Sequence, residues 1–232
     1  MLFETQKNIS KYIKSFASSR YKQKNSDYGL FIEHFPKLSI NENNILEIFK
    51  LGNFDKIMIE IGCGCGDFLI NYAKNNQNSL CIGCDVYKGG ILTTIRKILS
   101  NKCTNIFLFN DDARLLIDNL PNNLINEIYI LFPDPWPKRK HNQRRIINKE
   151  YINILLNKIS KDAVIITGTD VLDYQNNIRD IFTSFKDFVI FEEILENEIK
   201  NKIEYLWYEK TKYHEKANLE GRNAIFFKII KK

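Results

Sequence analysis

Apolar residues run along this 232-residue chain in two alternating rhythms. Short dense runs predict buried strands, and stretches in which apolar positions return every three or four residues predict helices. The first stretch, Glu42 to Leu51, sets Ile45, Leu46, Ile48 and Phe49 on one helical face behind a polar, basic beginning. The run Ile57-Met58-Ile59-Glu60-Ile61 then predicts a strand, followed by a helix from Asp67 to about Lys74. The same succession continues through strand Leu80 to Val86, helix Gly90 to Leu99, strand Phe107 to Phe109 and helix Asp112 to Leu120. Strand Glu127 to Phe132, helix Lys149 to Ile159, strand Ala163 to Gly168 and helix Val171 to Phe185 complete it. Strands alternating with helices predict an α/β protein with a Rossmann-like, doubly wound, mostly parallel sheet. Near the end, Ile203 to Tyr208 and Ala224 to Ile230 are rich in β-formers with no helical pattern between them, which predicts a closing antiparallel C-terminal strand pair. Residues 1–53 are expected to form a basic N-terminal arm with its leading helix, and 54–232 the main domain.

Composition fits one packed core, with 44% hydrophobic and 27% charged residues. No apolar run approaches the roughly 20 residues of a bilayer-spanning helix, and no signal-peptide core is visible at the start, so no membrane partner and a cytoplasmic location are expected. Five cysteines, Cys63, Cys65, Cys81, Cys84 and Cys103, form an odd set crowded mid-chain, which argues for reduced thiols. Two close pairs among them invite a zinc site, but the first is interleaved with glycines and the second lies in an apolar run, so no metal is expected. Charge changes the picture more. The net +6 gathers in two places: Lys7, Lys11, Lys14, Arg20, Lys22 and Lys24 near the start, and Lys138, Arg139, Lys140, Arg144, Arg145 and Lys149 in one acid-free run. Such clusters are either solvated faces or phosphate-binding patches.

The turn Gly62-Cys63-Gly64-Cys65-Gly66 follows the first strand directly and opens a helix. Glycines at alternate positions permit a tight turn and let the backbone approach a ligand. The spacing is not the G-x-G-x-x-G that cradles a pyrophosphate, which disfavours nicotinamide and flavin cofactors. Glu60 precedes the turn, Asp85 closes the second strand and Asp112 the third. Acids at successive strand ends suit an adenosine-bearing ligand, with Asp85 placed for ribose hydroxyls and one acid of the Asp111-Asp112 pair for the adenine amine. These features resemble the class I S-adenosylmethionine-dependent methyltransferases, and the resemblance implies S-adenosyl-L-methionine as cofactor.

The fourth strand delivers Phe132-Pro133-Asp134-Pro135-Trp136-Pro137, followed at once by Lys138 to Arg145. Prolines on both sides of Asp134 fix the local backbone, the basic run suits phosphates, and Trp136 either stacks on a base or packs. Together with Gly168-Thr169-Asp170 and Thr211-Lys212-Tyr213-His214-Glu215-Lys216, this run is similar to the bacterial tRNA (guanine-N(7)-)-methyltransferase family over roughly residues 55–230. The resemblance implies methyl transfer to N(7) of a guanine in the variable loop of tRNA. It assigns Asp134 as catalytic and Glu60, Gly62, Gly64, Gly66, Asp85, Asp112 and Asp134 to the cofactor. It assigns Lys138, Asp170, Thr211, Lys212, Tyr213 and His214 to the substrate, and Lys140, His141, Asn142, Gln143, Arg144 and Arg145 to RNA. His214 stands where the family has a glutamate, with Glu215 one place later, and in an extended segment that shift turns Glu215 to the opposite face. Two alternatives remain: another RNA-base or amino methyltransferase, since PDPW is close to the N/D-P-P-Y turn of such enzymes, and a non-catalytic RNA-binding module with a vestigial cofactor pocket. The assembly is expected to be a monomer or a homodimer.

Overall fold

A computed structural model describes residues 12–16, 25–195, 198 and 212–232. The expected alternation forms. Helices α1 (Asn25–Leu38) and α2 (Ile45–Leu51) lead into β1 (Lys56–Ile61), α3 (Asp67–Asn75), β2 (Ser79–Cys84), α4 (Lys88–Asn101), β3 (Ile106–Phe109) and α5 (Ala113–Asn119). Then come β4 (Ile125–Leu131), a short 3-10 helix (Arg139–Arg144), α6 (Lys149–Lys158), β5 (Ile159–Thr169), α7 (Leu172–Thr183), β6 (Val189–Leu195), α8 (Lys212–Leu219) and β7 (Ile225–Lys231).

The strands form one sheet in the order β3-β2-β1-β4-β5-β7-β6. Strands β3 to β5 in that order are parallel, and β7 runs antiparallel to both β5 and β6. Chain order reverses between β1 and β4, so the loops after these two strands diverge to opposite faces and leave a crevice at the carboxyl edge. Alternating side chains feed two apolar layers. Ile57, Ile59, Ile128 and Ile130 pack with residues of α5, α6 and α7 on one face. Met58, Tyr129 and Leu131 pack with α3 and α4 on the other. Glu60 has the parity of Met58 and so points into the second layer.

Three differences from expectation have physical causes. Helix α1 forms despite Gly29 and Pro36; Pro36 falls in its last turn, so the hydrogen bond it removes and the clash of its ring with the carbonyl four residues back are confined to the helix end. Its partners are specific, since Asp27 pairs with Arg96 and Lys88 lies 4.1 Å from the centre of the Phe31 ring. The antiparallel partners of β7 are β5 and β6, whose adjacent Glu192 and Glu193 break the period-two pattern that identifies a half-buried strand. The expected strand Ile203 to Tyr208 lies outside the described residues. Finally, a helix, α8, precedes β7 where none was expected. No helix among the described residues is long and apolar enough to cross a membrane.

Candidate active site

The β1–α3 turn is built by its glycines. Gly62, Gly64 and Gly66 all have positive φ, and a Cβ added at Gly62 or Gly64 would point into open space. An L side chain would be strained there, and the bare backbone leaves a shallow cradle. Gly62 and Cys63 donate their N–H groups to the Cys84 carbonyl (2.8 and 3.0 Å), which ties the turn to the end of β2. Asp85, just beyond, accepts from the N–H of Gly64 (2.7 Å) through one oxygen and from that of Tyr87 (2.7 Å) through the other. Each oxygen keeps acceptor capacity for a ligand hydroxyl. The five cysteines are all free; Cys63, Cys81 and Cys84 are buried and Cys65 is exposed.

Glu60 supplies the informative irregularity. Its side chain is 3% exposed, and Oε2 has no hydrogen-bond partner among the described residues. Burial first, then the neighbouring carboxylates of Asp85 and Asp67, hold Glu60 well above the usual carboxylate range, against the lowering effect of the Leu69 N–H. Asp85 is raised chiefly by burial as well; the N–H groups of Tyr87 and Gly64 oppose this, and Asp134 adds to it. Asp85 therefore stands between the two, acting on Glu60 and acted on by Asp134. A buried carboxylate with an unmet acceptor, close to two more acids and a bare glycine turn, fits a cationic ligand with an amino-acid end and a ribose.

Asp112 is placed differently. It caps α5, accepting from the Arg114 N–H (3.1 Å), and the Arg114 guanidinium engages both its oxygens, through Nε at 2.9 Å and Nη2 at 2.6 Å. Three bonds leave one acceptor position, on Oδ2. Arg114 is itself buried, donates to the Ile13 carbonyl (2.9 Å) and lies 4.4 Å from the Tyr12 ring centre. Residues 12–16 thus form a strap: Tyr12 bonds Asp118, and Ser15 accepts from Trp136 Nε1 (3.0 Å). The strap was invisible in the sequence, whose only local trace of it is an arginine two residues after the capping acid.

On the substrate side, the loop after β4 holds two non-glycine residues at positive φ, Phe132 (50°) and Trp136 (44°). Asp134 sits exposed between them, flanked by the two prolines. Lys138, Arg139, Lys140 and Gln143 are exposed, and His141, Asn142 and Arg144 half-buried. Arg144 lies over the Trp136 ring (4.9 Å), and His141 meets that ring edge-on (5.8 Å). Burial first, then the positive charges of Arg144, Lys140 and Lys138, lowers the His141 pKa. Turned so that its nitrogen faces them, the Asn142 amide donates to the carbonyls of Trp136 (3.0 Å) and Lys138 (3.3 Å).

Arg145 departs from expectation. Its side chain is 2% exposed and pairs with Asp173, so it points inward and not toward a phosphate. His214 also corrects the sequence-based picture. It lies on α8 at 1% exposure, 5.4 Å from the Phe132 ring and 5.6 Å from that of Phe226, packed beneath the loop with no face toward solvent. Because the segment is helical, one residue turns a side chain by about 100° and not 180°, and Glu215 is exposed. Asp170, at the end of β5, accepts from Arg222 Nε (2.5 Å), and Arg222 also pairs with Glu220. Lys212 and Tyr213 begin α8, and Thr211 lies outside the described residues.

A parallel sheet with its switch point between β1 and β4, a positive-φ glycine turn and acids at consecutive strand ends defines a class I methyltransferase. A family model described as "Putative methyltransferase" matches residues 55–227. A tRNA (guanine-N(7)-)-methyltransferase of Wolbachia pipientis is 36% identical over 230 residues, spanning 99% of this chain and 95% of that one. A bifunctional methyltransferase of Rickettsia typhi is 38% identical over 173 residues, 74% of this chain but 32% of that longer protein. A solved antibiotic-related methyltransferase shares the fold with a TM-score of 0.56 and 21% identity, covering 83% of this chain and 94% of its own. The chain belongs to the tRNA (guanine-N(7)-)-methyltransferase family. Its cofactor is S-adenosyl-L-methionine.

Proposed function

We propose that the chain methylates N(7) of a guanine in the variable loop of tRNA. The observation that carries this reading is the match, over nearly all of both chains, to a relative of that name. The exposed basic run beside the acidic crevice supports it. Bound S-adenosyl-L-methionine supplies a methyl group on a positively charged sulfur, so the protein's task is mainly alignment. Glu60 would hold the ammonium end beside the glycine turn, and Asp85 would take the ribose hydroxyls. Asp112, through its remaining Oδ2 position, would receive the adenine amine.

Guanine N(7) carries a lone pair and no hydrogen, so attack needs no general base. The methyl–sulfur bond would break as the N–C bond forms, passing the positive charge from sulfur, now a neutral thioether, to the purine, and the exposed Asp134 carboxylate would orient the base by accepting its N–H groups and offset that charge. Asp170, held by Arg222, is a second acceptor aimed from the next strand end. Lys138, Lys140, Gln143 and Arg144 with His141 and Asn142 receive the RNA backbone. Residues 54–232 carry the chemistry, and the beginning of the chain adds cationic reach. The site of action is the cytoplasm, and the assembly is a monomer or homodimer, which sedimentation in solution decides. Incubating the protein with labelled cofactor and unmodified tRNA, then digesting to nucleosides, is expected to yield 7-methylguanosine. A different methylated nucleoside redirects the assignment, and absence of cofactor heat in calorimetry makes the chain a vestigial RNA-binding module.

A further inference from the structure

The last arginine of the basic run is the one turned inward. Arg145 donates Nε to the Pro135 carbonyl (2.9 Å), the carbonyl immediately after Asp134, and its Nη2 pairs with Asp173. The guanidinium plane lies 4.7 Å from the centre of the Tyr174 ring. The Tyr174 hydroxyl in turn accepts the N–H of Ile147 (3.2 Å), and the Arg145 N–H is bonded to the Asn142 carbonyl (3.0 Å). One side chain therefore joins the loop after β4, which bears Asp134, to the start of α7, three residues beyond Asp170. A loop with two non-glycine residues at positive φ needs its surroundings to hold it, and its prolines have no N–H to contribute. A planar fork presents Nε to Pro135 and Nη2 to Asp173 in one fixed geometry, which the rotatable donors of a lysine ammonium do not reproduce.

We propose that Arg145 is a positioning residue: it fixes the Asp134 loop against the Asp170 segment, setting the gap into which the base fits, and makes no contact with RNA. This rests on the methyltransferase activity proposed above, so the test reads both activity and a signal independent of it. The chain has two tryptophans, Trp136 in this loop and Trp207; in a Trp207→Phe background, acrylamide quenching reports Trp136 alone. Arg145→Lys keeps the charge and removes the fork, and Asp173→Asn removes the partner carboxylate from an exposed position (69%) outside the crevice.

Both variants are expected to increase Trp136 quenching and to lower kcat by roughly tenfold to a hundredfold, the cost of a misplacement near 1 Å. KM for tRNA and cofactor affinity stay within about twofold. The double variant is expected to be scarcely worse than Arg145→Lys, because both changes break one tie. Arg145→Gln removes the charge as well; there a phosphate role predicts a higher KM and a salt slope smaller by roughly 0.7 to 0.9, with quenching unchanged, and that outcome overturns the proposal. Unchanged kcat and quenching in Asp173→Asn overturn it too, and this variant decides the matter if Arg145→Lys does not fold. Were the wild type inactive on tRNA, the functional reading would fall while the quenching result still judged the loop tie.

Discussion

The two halves of the crevice are held in different ways. On the cofactor half, backbone does the shaping: three positive-φ glycines and N–H groups bonded to Cys84 and Asp85 set the turn, and the acids point at it. On the base half, the backbone is awkward and side chains restrain it from outside: Arg145 from one side, Asn142 from below, Ser15 through Trp136. A site of the first kind is sensitive to added atoms; one of the second kind is sensitive to lost ties. The cofactor is spent and replaced at every turnover, but each fresh molecule has the same small shape, which a rigid cradle suits. A large RNA has to enter and leave, which suits a loop whose geometry is held by replaceable contacts.

The largest expected effect lies on the base half. Asp134→Ala is expected to cut kcat by at least about 100-fold while melting temperature changes little, as steady-state kinetics and scanning calorimetry on the same sample check. Retained turnover would remove Asp134 from the chemistry and leave Asp170 as the acid of that half.

Next comes an added atom on the cofactor half. In most helices Gly→Ala stabilises by about 1 kcal/mol. At Gly90, inside α4, a Cβ would lie 2.4 Å from the Gly64 carbonyl oxygen, a backbone atom that cannot step aside. Gly90→Ala is therefore expected to destabilise by about 1–3 kcal/mol and to weaken cofactor binding, with RNA affinity preserved. Chemical denaturation and a filter-binding assay separate these outcomes, and a more stable variant would contradict the close approach.

Glu60 gives a pH-dependent test. Its carboxyl is raised in the fold, so its contribution to stability is complete below the ordinary carboxylate range and is lost as pH climbs through the raised value. Glu60→Gln removes that loss, so thermal melts are expected to show the variant gaining on wild type as pH rises. Binding of a cationic cofactor draws the Glu60 proton off. The wild-type binding heat is then expected to vary with the ionisation enthalpy of the buffer, and the Glu60→Gln heat is not. Identical buffer dependence in both proteins would place the proton elsewhere.

The smallest effect is expected from the exposed charges. Lys138→Gln with Lys140→Gln is expected to weaken tRNA binding several-fold and to lower the salt slope by roughly 1.4 to 1.8, leaving kcat at saturating tRNA intact. An unchanged slope would mean that this face of the run is only solvated.

Legibility in the sequence followed the same division. The strand–turn–helix succession and the cofactor half could be read because each rests on local rules: glycine spacing, strand ends and apolar period. The six charges from Lys138 to Lys149 gave no sign that Arg145 points inward, since a run of like charges does not encode the direction of each fork. Asp112 was legible as a strand-end acid but not as a cap bound to its own arginine, which depends on the buried path of Arg114. Which of His214 and Glu215 is buried depends on the period of their segment, and nothing local in the sequence marks the helix that buries His214 and exposes Glu215. Strand β6 was missed because two adjacent glutamates hide its alternation, while its pairing with β7 is a contact from far along the chain.

The strap at residues 12–16 also has a consequence for how RNA is gathered. Tyr12 and Ser15 are fastened to α5 and to Trp136, which makes this point a mooring beside the acidic crevice. Lys14, exposed within the strap and 4.7 Å from the centre of the Phe16 ring, is carried by that mooring. A tRNA that has touched the basic run meets this further charge as part of the same molecule, at a local concentration set by the fold and not by the amount of enzyme in solution.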